Sequence, residues 1–117
     1  MKKEKIVLFA FRGDPLCFIH VLLNAIDLHE HGREGLIVIE GDAVKLVPEM
    51  SKPGHFLSSH YQKAKKLGLI DAVCKACSIK LGVAEAVEKE GLPLLGEMSG
   101  HPSMGAYLGK GYQVITF

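Results

Sequence analysis

Charge of one sign, long apolar runs and cysteines in disulfide-forming numbers are all scarce in this chain, and each scarcity removes a class of protein. Lys and Arg total 14 and Asp and Glu total 13, a formal net charge of +1 over 117 residues. So even a balance leaves no electrostatic footprint for a nucleic-acid backbone, and the six histidines form no basic patch. The apolar stretch Ile6 to Phe11 follows Lys2, Lys3 and Lys5 as a signal-peptide core follows its basic residues. It stops after six residues at Arg12-Gly13-Asp14, with no small-residue cleavage site. Leu16 to Ile26 is interrupted by His20 and Asn24 and is too short to span a bilayer. The expectation is a soluble, cytoplasmic protein with neither membrane nor nucleic acid as partner. Three cysteines, an odd number, argue against a disulfide framework. No Gly-x-Gly-x-x-Gly follows the first strand, so a dinucleotide is unsupported, and neither a P-loop nor a Gly-x-Ser-x-Gly occurs. No cofactor is expected.

What is present is an ordinary globular balance, 48% hydrophobic and 23% charged, without repeats, linkers or low-complexity tracts. The length suits one domain, residues 1–117, with a core that needs no metal or disulfide. Short apolar runs alternate with longer amphipathic ones, which predicts a mainly parallel sheet of about five strands in a three-layer α/β/α sandwich. The predicted strands are Lys5 to Phe11, Gly35 to Glu40, Leu69 to Val73, Leu92 to Glu97 and Gly111 to Phe117. Asp14 and Pro15 are the N-cap and first residue of a helix reaching about His31. His20, Asn24, Asp27 and His31 share one polar stripe of that helix. Its remaining apolar faces exceed what a surface helix needs, which points to a covered face such as a subunit contact. A short helix after Gly41-Asp42 runs to about Met50, another spans about His55 to Leu67, and the helix after Cys74 breaks at Gly82-Val83. A last short helix opens at Ser99-Gly100-His101-Pro102, with Gly100 or His101 as its cap.

In an open α/β sheet reactive groups gather at the carboxyl ends of the strands. Here those ends supply Arg12 and Asp14, Glu40 and Asp42, Cys74 and Cys77, and Ser99 and His101. Only the third set carries a strong nucleophile. A thiolate at a helix N-terminus is stabilised by the unpaired N–H groups, so Cys74 is expected to have a lowered pKa, with Lys75 beside it. Cys77, one turn on, could resolve an oxidised or persulfidated Cys74. Alternatives stay open. A buried Cys often serves as a small hydrophobe, and Cys17 reads best that way. His55 and His60 upstream of the Cys-x-x-Cys offer ligand types that zinc accepts. His101 could act as an acid/base, an anion contact or a turn residue. Asp14, Ser99 and His101 are the candidate substrate contacts. Asp14, Glu40 and Asp42 read most simply as helix caps and first-turn charges.

The segment Val73-Cys-Lys-Ala-Cys-Ser-Ile-Lys-Leu-Gly-Val83 resembles the cysteine segment of the DsrE/DsrF/TusD-like sulfur-relay family. Cys74 and Gly82 match that family's Cys and the Gly eight residues later, and Cys77 matches the second Cys of some members. The opening strand and helix, the Gly41-Asp-Ala-Val44 turn and the closing Gly-Tyr-Gln-Val-Ile-Thr-Phe are similar too, so the likeness covers nearly the whole chain. It implies an α/β/α sandwich assembling as trimers or hexamers, and a persulfide carried on Cys74. Where TusD-like members carry a basic pair before the Gly, this chain has Lys80-Leu81. The leading expectation is a persulfide carrier or sulfurtransferase-like protein, catalytic at Cys74 and Cys77, exchanging sulfur with donor and acceptor proteins or small sulfur species. Its rivals are a metal-binding or structural module using the cysteines with histidines, and a thiol–disulfide redox protein.

Overall fold

The structure, a computed structural model, describes residues 3–117; Lys2 of the amino-terminal basic group lies outside them. Five strands form one sheet in the order β4-β3-β2-β1-β5, and every pairing is parallel. They are β1 (Lys5–Ala10), β2 (Glu34–Ile39), β3 (Ile70–Cys74), β4 (Leu94–Leu95) and β5 (Gln113–Thr116). The helices are α1 (Pro15–Glu30), α2 (Leu46–Met50), α3 (Ser58–Lys66), α4 (Lys75–Lys80), α5 (Ala84–Lys89) and α6 (Met104–Gly109). A 3-10 turn over Gly41–Lys45 precedes α2.

The expected α/β/α sandwich is what forms, and the reason lies in β1. Ile6 to Ala10 are all buried, because a central parallel strand needs both faces covered. Ile6, Leu8, Ile37 and Ile39 pack against Phe18, Val21, Leu22 and Ala25 of α1, with α2, α3 and α5 extending that layer. Val7, Phe9, Val38 and Ala72 face the other way, onto Tyr107 of α6. Right-handed crossovers explain the division. Stepping from β1 through β2 and β3 to β4 keeps α1 to α5 on one face, and the return from β4 past β1 to β5 lays α6 on the other.

Local chemistry sets the element ends. Asp14 caps α1 as expected, its carboxylate accepting the Leu16 N–H at 2.8 Å with Pro15 at the first position. The polar stripe His20, Asn24, Asp27 and His31 is exposed throughout. The helix after Cys74 does break at Gly82, giving α4 and α5. Three expectations need correction. Strand β4 is only two residues, because the chain leaves the edge of the sheet at Gly96 to form a tight turn. Helix α3 begins at Ser58, since His55 is spent accepting the Leu57 N–H at 3.1 Å. Helix α6 begins at Met104, with Ser103 as its cap in place of Gly100 or His101.

The register of β3 against β2 shifts between Ile37 and Val38, which pair with Ile70 and Ala72 and leave Asp71 as an extra residue. Asp71 accepts the Tyr107 hydroxyl at 2.5 Å. The bulge therefore anchors α6 to the sheet and sets the phase of the residues leading into Cys74.

On the opposite layer, Tyr61, wholly buried, donates to Glu90 at 2.6 Å, and Lys65 adds a 3.1 Å ion pair. The Tyr61 bond first, then Lys65, holds the Glu90 carboxyl below its ordinary value of 4.5. A lowered folded-state pKa stabilises the fold above the unfolded value, and that contribution disappears as pH falls through the folded one. Urea midpoints compared at neutral pH and near pH 3 should therefore drop less for Glu90→Gln than for the unmodified chain. An equal drop would show that the Tyr61–Glu90–Lys65 cluster does not couple to folding.

Candidate functional site

Cys74 is the last residue of β3 and the N-cap of α4, where its Sγ accepts the Cys77 N–H at 3.5 Å. The Cys-x-x-Cys spacing turns both thiols toward the same point above the strand end. A second piece of chain closes over them. After β4 the segment from Gly96 folds into a turn in which Met98 and His101 exchange backbone hydrogen bonds at 2.9 Å each way. The Gly100 carbonyl accepts the Ala76 N–H at 2.8 Å, which ties this turn to the start of α4. The Ser103 N–H donates to Glu97 at 2.8 Å and braces its far side.

His101 is thereby held over the thiols. Its Nδ1 lies 3.1 Å from Cys74 Sγ and 3.9 Å from Cys77 Sγ. Glu40, at the carboxyl end of the neighbouring β2, comes in from the side, with its carboxylate 3.8 Å from the same ring nitrogen. The positive φ of Gly41 (+54°) lets the backbone turn away just after it. The ligand atoms of Glu40, Cys74, Cys77 and His101 all lie within 4.8 Å of one another.

Burial grades the four. Cys74 has no exposed surface and Glu40 only 7%, whereas Cys77 and His101 are half-buried. The expected lowering of the Cys74 pKa is not found. Burial pushes its thiol up from 9.0 to about 12, the Cys77 N–H offsets this in part, and the nearby Cys77 and Glu40 add to the rise. Desolvation outweighs the single N–H that the helix start contributes. Glu40 is raised by burial as well, with His101 and Cys74 acting against the shift.

The other candidates fall elsewhere. Asp14 is exposed and occupied as a cap. Ser99 is exposed at the tip of the turn with φ +49°, serving its geometry. Of the three candidate substrate contacts, Asp14, Ser99 and His101, only His101 joins the thiols. His55 stacks on Phe56, and His60 lies beside Leu23, Asp27 and Lys63 between α1 and α3. Neither belongs to the cysteine cluster. Cys17 lines an open depression of about 570 Å³ with Arg12, His20 and Phe117. Glu40 was read from sequence as a cap, yet its side chain makes no cap hydrogen bond. Its role depends on β2 lying beside β3, which only the assembled sheet reveals.

An α/β/α protein with a dithiol–histidine–carboxylate centre at the carboxyl ends of β2 and β3 is the class these features define. No family model matches the chain. It is 37% identical over 97 residues to the uncharacterized protein MJ0733 of Methanocaldococcus jannaschii, covering 83% of this chain and 77% of that one. This chain belongs to the family of that archaeal protein. An uncharacterized protein of Archaeoglobus fulgidus is 34% identical over 62 residues, 53% of this chain and 100% of the relative. Among solved structures, the conserved protein of unknown function BT1422 from Bacteroides thetaiotaomicron has the same fold, with a TM-score of 0.69 at 18% identity over 97% of this chain and 95% of that one.

Two measurements follow from the geometry. In chelator-treated protein near neutral pH, iodoacetamide should label Cys77 well before Cys74, which should react only on unfolding. Peptide mapping of a time course reads this, and equal rates would contradict the burial order. Gly100 has φ +92°, and a Cβ there would stand 2.9 Å from the Ala76 Cβ. Gly100→Ala should cost about 1–3 kcal/mol in a urea unfolding experiment and should expose Cys74 to alkylation. An unchanged midpoint would mean the turn does not clamp the site.

Proposed function

We propose that this chain is a sulfur-relay protein of the DsrE-like kind, a persulfide carrier or sulfurtransferase-like protein whose sulfur rests on Cys74. The observation that carries the reading is one ring nitrogen within reach of both thiols, 3.1 Å from Cys74 and 3.9 Å from Cys77. His101 can take a thiol proton in place and return it later.

Because Cys74 is sealed and Cys77 is not, loading begins at Cys77. It yields its proton to His101 and attacks the outer sulfur of a donor persulfide, R–S–SH. A new S–S bond forms, the donor's S–S bond breaks, and R–S⁻ leaves and collects a proton. Cys74 then takes the outer sulfur from Cys77 by the same exchange, leaving Cys77 as a thiol. Each step is a redox-neutral sulfur transfer. Once on Cys74, the sulfur is shielded from solvent reductants, and the reverse sequence delivers it to an acceptor. The high pKa of Cys74 suits holding rather than first attack, since the thiolate is the attacking species.

A homo-oligomer, trimer or hexamer, and a cytoplasmic setting belong to the same proposal. Exposed Leu16 and Leu23 on α1 and Ile115 on β5 are the apolar surface such an assembly would cover. No helix among the described residues is long and apolar enough to cross a membrane.

Intact mass and peptide mapping after incubation with a small-molecule persulfide donor test the reading. One added sulfur atom per chain is expected on the Cys74–Cys77 peptide, released by reductant once the protein is unfolded. Cys77→Ser should abolish loading, Cys74→Ser should load but lose the sulfur quickly, and His101→Ala should slow loading on the order of a hundredfold. Sulfur found on Cys17, or loading indifferent to Cys77→Ser, would refute it.

A further inference from the structure

The four side chains at the ends of β2 and β3 also have the composition and spacing of a metal site. We infer that Cys74, Cys77, His101 and Glu40 bind one soft divalent cation of the zinc type in a tetrahedral S2NO set. This does not rest on the sulfur-relay reading, although it uses the same thiols.

Geometry is the first support. Zinc bonds of about 2.0–2.3 Å to O, N and S place tetrahedral ligand atoms roughly 3.3–3.8 Å apart. The His101 Nδ1 already stands 3.1 Å from Cys74 Sγ, 3.9 Å from Cys77 Sγ and 3.8 Å from the Glu40 carboxylate. No pair of ligand atoms in the cluster is more than 4.8 Å apart. A cation at the centre requires the ligand atoms to move closer by about an ångström or less. The Cys-x2-Cys spacing is the usual knuckle for such sites, and the Cys77 N–H aimed at Cys74 Sγ stabilises a coordinating thiolate.

Glu40 supplies an independent observation. Its side chain is 9% exposed, and among the described residues its single ion-pair partner is the half-exposed His101. Among the described residues no lysine or arginine pairs with it. A buried carboxylate without a fixed positive partner is costly, and this one is directed at two thiols. A divalent cation satisfies all three groups together. Binding displaces the two thiol protons to solvent and involves no oxidation. The ring binds through Nδ1, leaving its Nε2–H for solvent at the half-exposed edge.

The set differs from the one that sequence order suggested. His55 and His60 precede the cysteines and look like their partners, but His55 accepts the Leu57 N–H and His60 lines a depression between α1 and α3, both outside the thiol cluster. His101, 24 residues after Cys77, is brought over them by the turn between β4 and α6.

The test is titration of reduced, chelator-treated full-length protein with Zn2+ and, separately, with Co2+. One equivalent per chain is expected, with release of thiol protons, an intense thiolate-to-cobalt charge-transfer band and the strong visible absorption of tetrahedral Co2+. Cys77→Ser and His101→Ala should each raise the dissociation constant by more than the roughly 10–100-fold that loss of an outer-shell partner costs. Glu40→Gln should weaken binding less than either, and His55→Ala and His60→Ala should leave it unchanged. His101→Ala removes a half-exposed ring, so circular dichroism should show it folded if Cys74→Ser is not. Absence of the charge-transfer band, or zinc affinity insensitive to Cys77→Ser and His101→Ala in folded protein, would overturn the site. Sulfur loading, assayed in chelator-treated protein, is read separately, so either conclusion can fail without the other.

Discussion

A parallel sheet must be covered on both faces, and in this molecule that requirement reaches as far as the chemistry. Strand β1 is buried from Ile6 to Ala10, so helices have to lie above and below it. Because right-handed crossovers keep all helices on one side while the chain winds in one direction, the second face can be covered only if the winding reverses. The reversal comes after β4, and the segment that makes it passes over the carboxyl end of β3. His101 travels on that segment. The layer that completes the hydrophobic core is thus the same excursion that delivers the imidazole to Cys74.

Once the excursion is in place, small contacts fix it closely. The Gly100 carbonyl holds the Ala76 N–H, and Gly100 approaches Ala76 so closely that no side chain fits. Glu97 and the Ser103 cap tie the turn to α6. The Tyr107–Asp71 bond ties α6 to the bulge in β3, three residues before Cys74. The loop over the site and the strand beneath it are therefore joined through two routes, one at each end of the turn. Burial then decides the character of the thiols. Cys74 is held as a protonated, shielded group, and Cys77 is left at the surface. A helix start of one N–H does not compensate for full desolvation, so the reactivity of the pair is divided between depth and access.

Most of the fold was legible in the sequence because periodicity is a local signal. Five apolar runs, the Asp14-Pro15 helix start, the break at Gly82 and the Cys74–Cys77 pair at a strand-to-helix junction all follow from neighbouring residues. The site was legible only in part because its members are joined by strand order. Nothing local distinguishes Glu40 as a site residue from Glu40 as a cap, or separates His101 from His55 and His60 as a partner for the thiols. Adjacency of β2 to β3, and the path of the turn after β4, decide both. Desolvation of Cys74 was missed for the same reason: the turn that seals it lies more than twenty residues further on.

The central claim is that His101 and Glu40 share one centre with the two thiols. Long-range 1H–15N correlation spectra of the histidine rings test it most directly. With the Cys74 thiol donating to Nδ1, a neutral His101 should occupy the Nε2–H tautomer. Its ring signals should shift markedly in both Cys74→Ala and Glu40→Gln, while those of His55 and His60 stay in place. A His101 ring indifferent to both substitutions would contradict the account.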